Sequence, residues 1–172
     1  MRVLGVDTSL TCPAAAIIEV KDGKAKLVAV SHVTTSSKQL PHLRGQIVYA
    51  WLLMFLAQHG THYDAIIRED FTGKTSLTNA PVFSAWAATD RALADHGLIF
   101  DKWKEPRKKT TYGVAPTRVK KLVAGSGSAD KAAVADGVRK ITGYEGPFAT
   151  DDESDAAAIA LAYAIQQGAL KV

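Results

Sequence analysis

Four carboxylates set the chemical possibilities of this chain: Asp7, Glu69, Asp152 and Asp155. Asp152 and Asp155 stand three apart at the head of a helical run, so they share one face, and the apolar, Ala-rich residues that follow can bury the other. Asp7 closes a first strand, RVLGVD. Glu69 closes a later one, YDAIIRE, where a carboxylate in so apolar a setting is costly without a partner. Asp70, next in sequence, can take its place. If the two strands are neighbours, both acids lie at one edge of a sheet and the acidic helix can pass over them. Four carboxylates gathered there repel one another unless they bind hard cations. Two Mg²⁺ ions ~4 Å apart, with Mn²⁺ as a substitute, activate a water and stabilise the leaving oxygen of a phosphodiester. Each acid also has a structural explanation. Thr150-Asp-Asp-Glu153 fits a capping box whose acids complement the helix dipole, and an Asp after a strand suits a turn.

A basic band supplies the opposite charge. Between Lys102 and Lys121 lie Lys102, Lys104, Arg107, Lys108, Lys109, Arg118, Lys120 and Lys121 against Glu105 alone, in a chain whose net charge is +4. Interleaved with Trp103 and Tyr112, this band suits a nucleic-acid backbone, so the remainder of the chain is net negative. The histidines His32, His42, His59, His62 and His96 show no metal-ligand spacing and are assigned to surface or loops. Cys12, the only cysteine, has no partner for a disulfide or for nucleophilic chemistry, which suits a reducing cytoplasm. The longest apolar run, Ile47 to Ala57, is too short to span a membrane. The N-terminus has too short an apolar run for a signal peptide.

The elements that must position these groups follow from pattern. Length (172 residues) and 47% hydrophobic content predict one domain over 1–172. Strands are expected at Arg2–Asp7, Ala14–Val20 and Ala25–Val33, the last two joined across Asp22-Gly23, a strong hairpin signal. A helix over Leu40–His59, apolar nearly all round in its second half, precedes the strand Tyr63–Glu69. Helices are expected over Ser76–Asp95, Thr117–Val123, Ala129–Ile141 (capped by Ser128) and Asp152–Gln167, with a short strand near Tyr112–Ala115. Trp51 and Trp86 suit packing. The fold class is α/β: a mixed sheet of three antiparallel strands, then parallel strands, flanked by helices.

Several stretches also resemble the RuvC family of Holliday-junction resolvases, within the ribonuclease H-like superfamily. VKKLVAGSGSADKAAVADGVRK is close to the family's Val-Lys…Gly-x-Gly-Ser-Ala-(acid)-Lys block, and Asp152-Glu-Ser-Asp155-Ala-Ala-Ala-Ile-Ala is similar to its Asp-x-x-Asp-Ala-x-Ala-Ile-Ala. LGVDTS, PHLRGQIVYAWLL and YDAIIREDF agree more loosely. The resemblance implies a Mg²⁺-dependent endonuclease that nicks branched DNA as a homodimer in the cytoplasm of a bacterium or phage-infected host. It implies Asp7, Glu69, Asp152 and Asp155 as metal-binding catalytic residues and Lys131 and Lys120 near the scissile phosphate. Phe71 would probe the junction, and Ser76–Asp95 would be the dimer helix, with Phe83 and Trp86 at the interface. Asp7-Thr-Ser replaces the family's Asp-Pro-Gly, Phe71 follows Glu69 closely, and Ile99–Thr111 looks inserted, which resembles a divergent phage-type branch. Two alternatives are a DNA-binding protein of the same fold without cleavage and an actin-like sugar kinase or ATPase. The chain is half the size the latter requires and lacks a second nucleotide-binding lobe.

Overall fold

The computed structural model describes residues 1–70, 80–104 and 110–171. Phe71, Arg107, Lys108 and Lys109, together with the expected helix start at 76–79, lie outside the described residues.

Strands β1 (Arg2–Asp7), β2 (Ala14–Lys21), β3 (Lys24–His32) and β4 (Ala65–Arg68) form one sheet in the order β3-β2-β1-β4. The first three pair antiparallel and β4 joins β1 in parallel. At the β2–β3 turn Asp22 and Gly23 both adopt positive φ, 52° and 71°, as the two-residue hairpin signal requires. Helices α1 (Pro41–His59) and α2 (Ala80–Ala94) cover one face of the sheet. Helices α3 (Pro116–Ala124), α4 (Lys131–Thr142) and α5 (Asp151–Gln166) cover the other.

Strand alternation sorts the side chains between these layers. On β1, Leu4 and Val6 pack toward α1 and α2, whereas Val3 lies in the core with α5. Gly5 shares the face of Val3. A Cβ there would sit 2.2 Å from the carbonyl oxygen of Ala156 and 2.8 Å from the nitrogen of Ala160, so only glycine lets α5 lie this close to β1. The small face of α5, with Ala156, Ala157 and Ala160 fully buried, completes the contact. Seating α5 against β1 in this way is what brings the acidic first turn to the end of the strand.

Four local expectations are corrected. Helix α4 begins at Lys131, and its cap is Asp130, whose side chain accepts from the Ala133 N–H at 2.8 Å, rather than Ser128. The capping box on α5 is not made: Thr150 makes no side-chain cap bond, and Glu153 accepts from the Ala149 N–H at 2.7 Å, one residue before the cap. The strand expected near Tyr112 reduces to a single parallel bridge between Val114 and Glu69. Trp103, expected to interleave with the basic band at the surface, is 3% exposed and meets Tyr163 edge-on in the core, because its short backbone bridge to Thr111 turns the ring inward.

Candidate active site

The parallel register of β1 and β4, which runs from Val3 opposite Ala65 to Val6 opposite Arg68, carries on to bring Asp7 and Glu69 out at the same sheet edge. Period two then places Asp7 on the face of Val3 and Gly5, and Glu69 on the face of Ala65 and Ile67, both toward α5. Asp70 falls on the opposite parity and is not among the groups that act on Asp7. Glu69 is held by backbone on its outer side as well. The Val114 N–H donates to the Arg68 carbonyl at 3.0 Å, and the Asp70 N–H donates to the Val114 carbonyl at 2.8 Å. Gly113 makes this possible, since a Cβ there would meet the Arg68, Glu69 and Asp70 backbone at 2.7–2.8 Å.

The electrostatics show how closely the acids converge. Burial pushes the Asp7 carboxyl well above the usual carboxylate range, and Glu69, Asp152 and Asp155 all push it further, against Lys131. Glu69 is raised to about 7 by burial and then by Asp155, with Lys120 opposing. Burial also raises Asp155, with Lys131 and Lys120 pulling down and Asp152 and Asp151 pushing up. Lys131 itself is lowered by burial, but Asp155, Asp152 and Asp151 outweigh that and raise it; its Nζ lies 3.5 Å from Asp151 Oδ2. Glu69, Lys120 and Asp155 line one small cleft of about 40 Å³. Thus Asp7, Glu69, Asp152 and Asp155 meet, with Lys131 and Lys120 facing them.

Other basic candidates lie elsewhere. Arg118 donates from Nη2 to Gln166 Oε1 at 2.7 Å, at the far end of α5 and roughly 20 Å along the helix axis from Asp152. Lys121 is exposed on α3, and Lys102 sits 5.4 Å from the centroid of the exposed Tyr112 ring.

Two residues given no role above lie near the cluster: His32, assigned to surface or loops, ends strand β3, and Cys12 stands beside the cap of α5. His32, at the end of β3, contacts Glu153 Oε1 through Nδ1 at 2.8 Å, and Glu153 is buried, so this pair ties the first turn of α5 to the sheet. Cys12 lies 3.9 Å from Thr150 Oγ1; burial and a hydrogen bond with Asp152 raise its thiol pKa. Neither had a signal in sequence spacing, because both partners lie more than 100 residues away.

The carboxylate set fits a divalent cation. It is rich in hard oxygen donors and carries negative charge that Lys120 and Lys131 only partly offset. Among the described residues no three His, Cys, Asp or Glu side chains stand close enough together to hold a metal ion as they are placed. A groove of about 740 Å³ between β3 and α1 is walled by residues such as Val28, Ile47 and Met54 and holds no carboxylate.

Comparison with known proteins identifies the family and the fold. The family model described as crossover junction endodeoxyribonuclease RuvC matches residues 3–163. Proteins of that name from Chloroflexus aurantiacus and Paenarthrobacter aurescens are 30% and 31% identical, over 95% and 98% of this chain and 93% and 83% of theirs. Thermus thermophilus RuvC in complex with Holliday junction substrate superposes with a TM-score of 0.77 at 28% identity, covering 99% of this chain and 98% of that one. The Fowlpox virus resolvase, at 16% identity and a TM-score of 0.53, shares the fold. With its acids and lysines in one place and the family model matched nearly end to end, this chain belongs to the RuvC family of crossover junction endodeoxyribonucleases.

Proposed function

We propose that this chain resolves Holliday junctions as a Mg²⁺-dependent homodimer in the cytoplasm of a bacterium or phage-infected host, nicking two strands of branched DNA. The observation that carries the reading is the convergence of Asp7, Glu69, Asp152 and Asp155 from β1, the end of β4 and α5, with Lys131 and Lys120 beside them. These four carboxylates would hold the cations. A pair of Mg²⁺ ions, or Mn²⁺ in their place, supplies a nucleophile at neutral pH and charge stabilisation for the departing oxygen.

The chain's own residues do the rest. Burial and repulsion by neighbouring acids raise the pKa of Asp7, Glu69 and Asp155, so the site favours positive charge that arrives there. Lys131, drawn toward Asp155, Asp152 and Asp151, stands where a scissile phosphate would bring its negative charge. Lys120 sits across the same cleft, against Glu69 and Asp155. Lys102, Lys121 and Arg118 would meet the DNA arms at greater distance; Arg107, Lys108 and Lys109 are assigned to DNA contact by the charge of the basic band alone, and Phe71 by the resemblance alone.

Support for a dimer through α2 comes from the half-exposed Phe83 and from a groove of about 290 Å³ between α1 and α2, lined by Gly45, Tyr49, Ala87 and Ala88. Trp86 would not form that interface, since its Nε1 donates to Thr8 Oγ1 at 3.0 Å and its ring stacks on Arg68 within the chain. A two-fold axis would present two sites to opposed strands of a junction. The test is to incubate the protein with four-way, three-way and linear DNA, with Mg²⁺ or chelator, and map the nicks. Paired, Mg²⁺-dependent nicks confined to the four-way substrate are expected. Binding without nicking would make it a structure-specific DNA-binding protein instead.

A further inference from the structure

Arg44, in the first turn of α1, is 7% exposed and has no acidic partner among the described residues. Its Nε donates to Thr35 Oγ1 at 2.9 Å and its Nη2 to Thr11 Oγ1 at 2.7 Å, while Nη1 makes no hydrogen bond to a described residue. Arg68 is buried to the same degree but has Asp90 at 3.0 Å and the Trp86 ring at 3.8 Å. Hydroxyl dipoles alone do not offset the burial of a guanidinium; an anion does.

The surroundings favour such an anion. The sequence from Gly23 to Tyr63 contains no acidic residue, and Lys38 is exposed in the loop ahead of α1. The N-terminus of α1 has no side-chain cap and no acid in its first turn, so no side chain of that turn offsets the positive end of the helix dipole. Thr35 spends its hydroxyl proton on the Leu10 carbonyl, at 2.5 Å, and so presents only an acceptor to Arg44. Thr11 is exposed, accepts from Arg44 and keeps its own proton to donate outward.

Location supplies the remaining constraint. One loop, running from Thr8 to Pro13, begins directly after Asp7. Thr11 in this loop holds Arg44, and the adjacent Cys12 touches Thr150 at the cap of α5. Thr11 stands four residues after Asp7, so the guanidinium it holds and the carboxylate cluster flank a single loop, at most ~14 Å of chain apart, on the order of four nucleotide steps of a DNA strand.

We propose that Arg44, with the hydroxyl of Thr11, is a subsite for one backbone phosphate of the cleaved strand, within about four nucleotides of the nick. The inference rests on the DNA-cleaving reading above. A phosphodiester presents two oxygens to the planar fork of the guanidinium, which a lysine could not match. Its arrival neutralises the buried charge and fixes the strand relative to Asp7.

The experiment uses four-way DNA carrying single neutral methylphosphonates along the cut strand, with the full-length protein. For wild type, one position within about four nucleotides of the nick should weaken binding roughly tenfold. Arg44→Gln should bind unmodified DNA roughly tenfold more weakly, show a log–log salt slope smaller by ~0.9, raise KM more than it lowers kcat, and lose sensitivity to that methylphosphonate. Thr11→Val, at an exposed position, should shrink the same penalty and serves if Arg44→Gln does not fold. If no position near the nick carries a penalty, or the penalty is equal in wild type and Arg44→Gln, then Arg44 merely braces two loops and the proposal is overturned. A penalty that persists in a protein that never nicks would sink the nuclease reading and keep the subsite. Nicking without a penalty does the reverse, and failure of wild type to bind any DNA overturns both.

Discussion

Arg68 and Glu69 are consecutive residues on one strand, yet the two faces of the sheet treat their charges in opposite ways. Arg68 turns toward α1 and α2, where Asp90 lies at 3.0 Å and the rings of Trp86 and Phe100 enclose the guanidinium at 3.8 and 4.5 Å. Glu69 turns toward α5, where the nearest influences include another carboxylate, Asp155, and only Lys120 in opposition. The first arrangement is electrically closed and holds α2 to the sheet. The second is left open, and its excess negative charge raises the native-state free energy unless a cation enters. Compensated charge here marks structure, and uncompensated charge marks the working site. Arg44 belongs with the second kind.

The comparison breaks most visibly in catalysis. Asp7→Asn, Glu69→Gln, Asp152→Asn and Asp155→Asn should each lower Mg²⁺-dependent nicking by at least on the order of 10²-fold while DNA binding holds or tightens as repulsion is relieved. Full activity in Asp7→Asn, read in single-turnover nicking assays, would remove these acids from the chemistry. Asp70→Asn should stay active, because its parity points it away from the cluster.

On the closed side the expected loss is stability rather than rate. Asp90→Asn leaves a buried guanidinium without its anion and should cost about 2 kcal/mol, a discounted figure because Asp90 is half-exposed. That corresponds to ~4–8 °C in Tm. Nicking at temperatures where the variant is folded should be within a few-fold of wild type. A large drop in rate at unchanged Tm would show that the two faces are coupled.

Lys131→Ala should slow single-turnover nicking about tenfold, or ~1.4 kcal/mol, with a smaller effect on affinity, since Lys131 faces three aspartates at the site. An unchanged rate would return Lys131 to the status of a first-turn surface residue.

The smallest effect is on pH dependence. Glu69 ionises near 4.5 as a free side chain and at about 7 in the folded protein, so between those values the native state holds more protons than the unfolded one. Stability contributed by this proton therefore falls as pH rises from 4.5 to 7 and is lost above it. In chelator, Tm should be higher near pH 5 than at pH 8. Glu69→Gln should flatten that difference and be more stable at pH 8 by about 1 kcal/mol, ~2–4 °C. Adding Mg²⁺ at pH 8 should stabilise wild type and leave Glu69→Gln less affected. A wild-type Tm that rises from pH 5 to pH 8 in chelator would contradict the open-charge picture.

Much of the scaffold is determined by the sequence, because the forces involved are local. Alternation sets the two faces of β1 and β4, the left-handed conformations at Asp22 and Gly23 close the hairpin, and the three-residue spacing of Asp152 and Asp155 puts both on one helical face. The capping details depended on finer competition within a few residues, so Asp130 displaced Ser128 as the cap and Glu153 reached Ala149 rather than completing a box with Thr150. What only the tertiary structure decided are contacts between distant segments: the seat of α5 on Gly5, the bridge that fixes Glu69 through Gly113 and Val114, the burial of Trp103, and the contacts of His32 with Glu153 and of Cys12 with Thr150. Arg44 shows the reason. Its sequence neighbours mark it as a polar residue in a helix's first turn, and only the meeting of loops from the ends of β1 and β3 buries most of it beside two hydroxyls with no anion among the described residues. Whether a charge is compensated depends on which surfaces the whole chain brings together, and no local pattern carries that information.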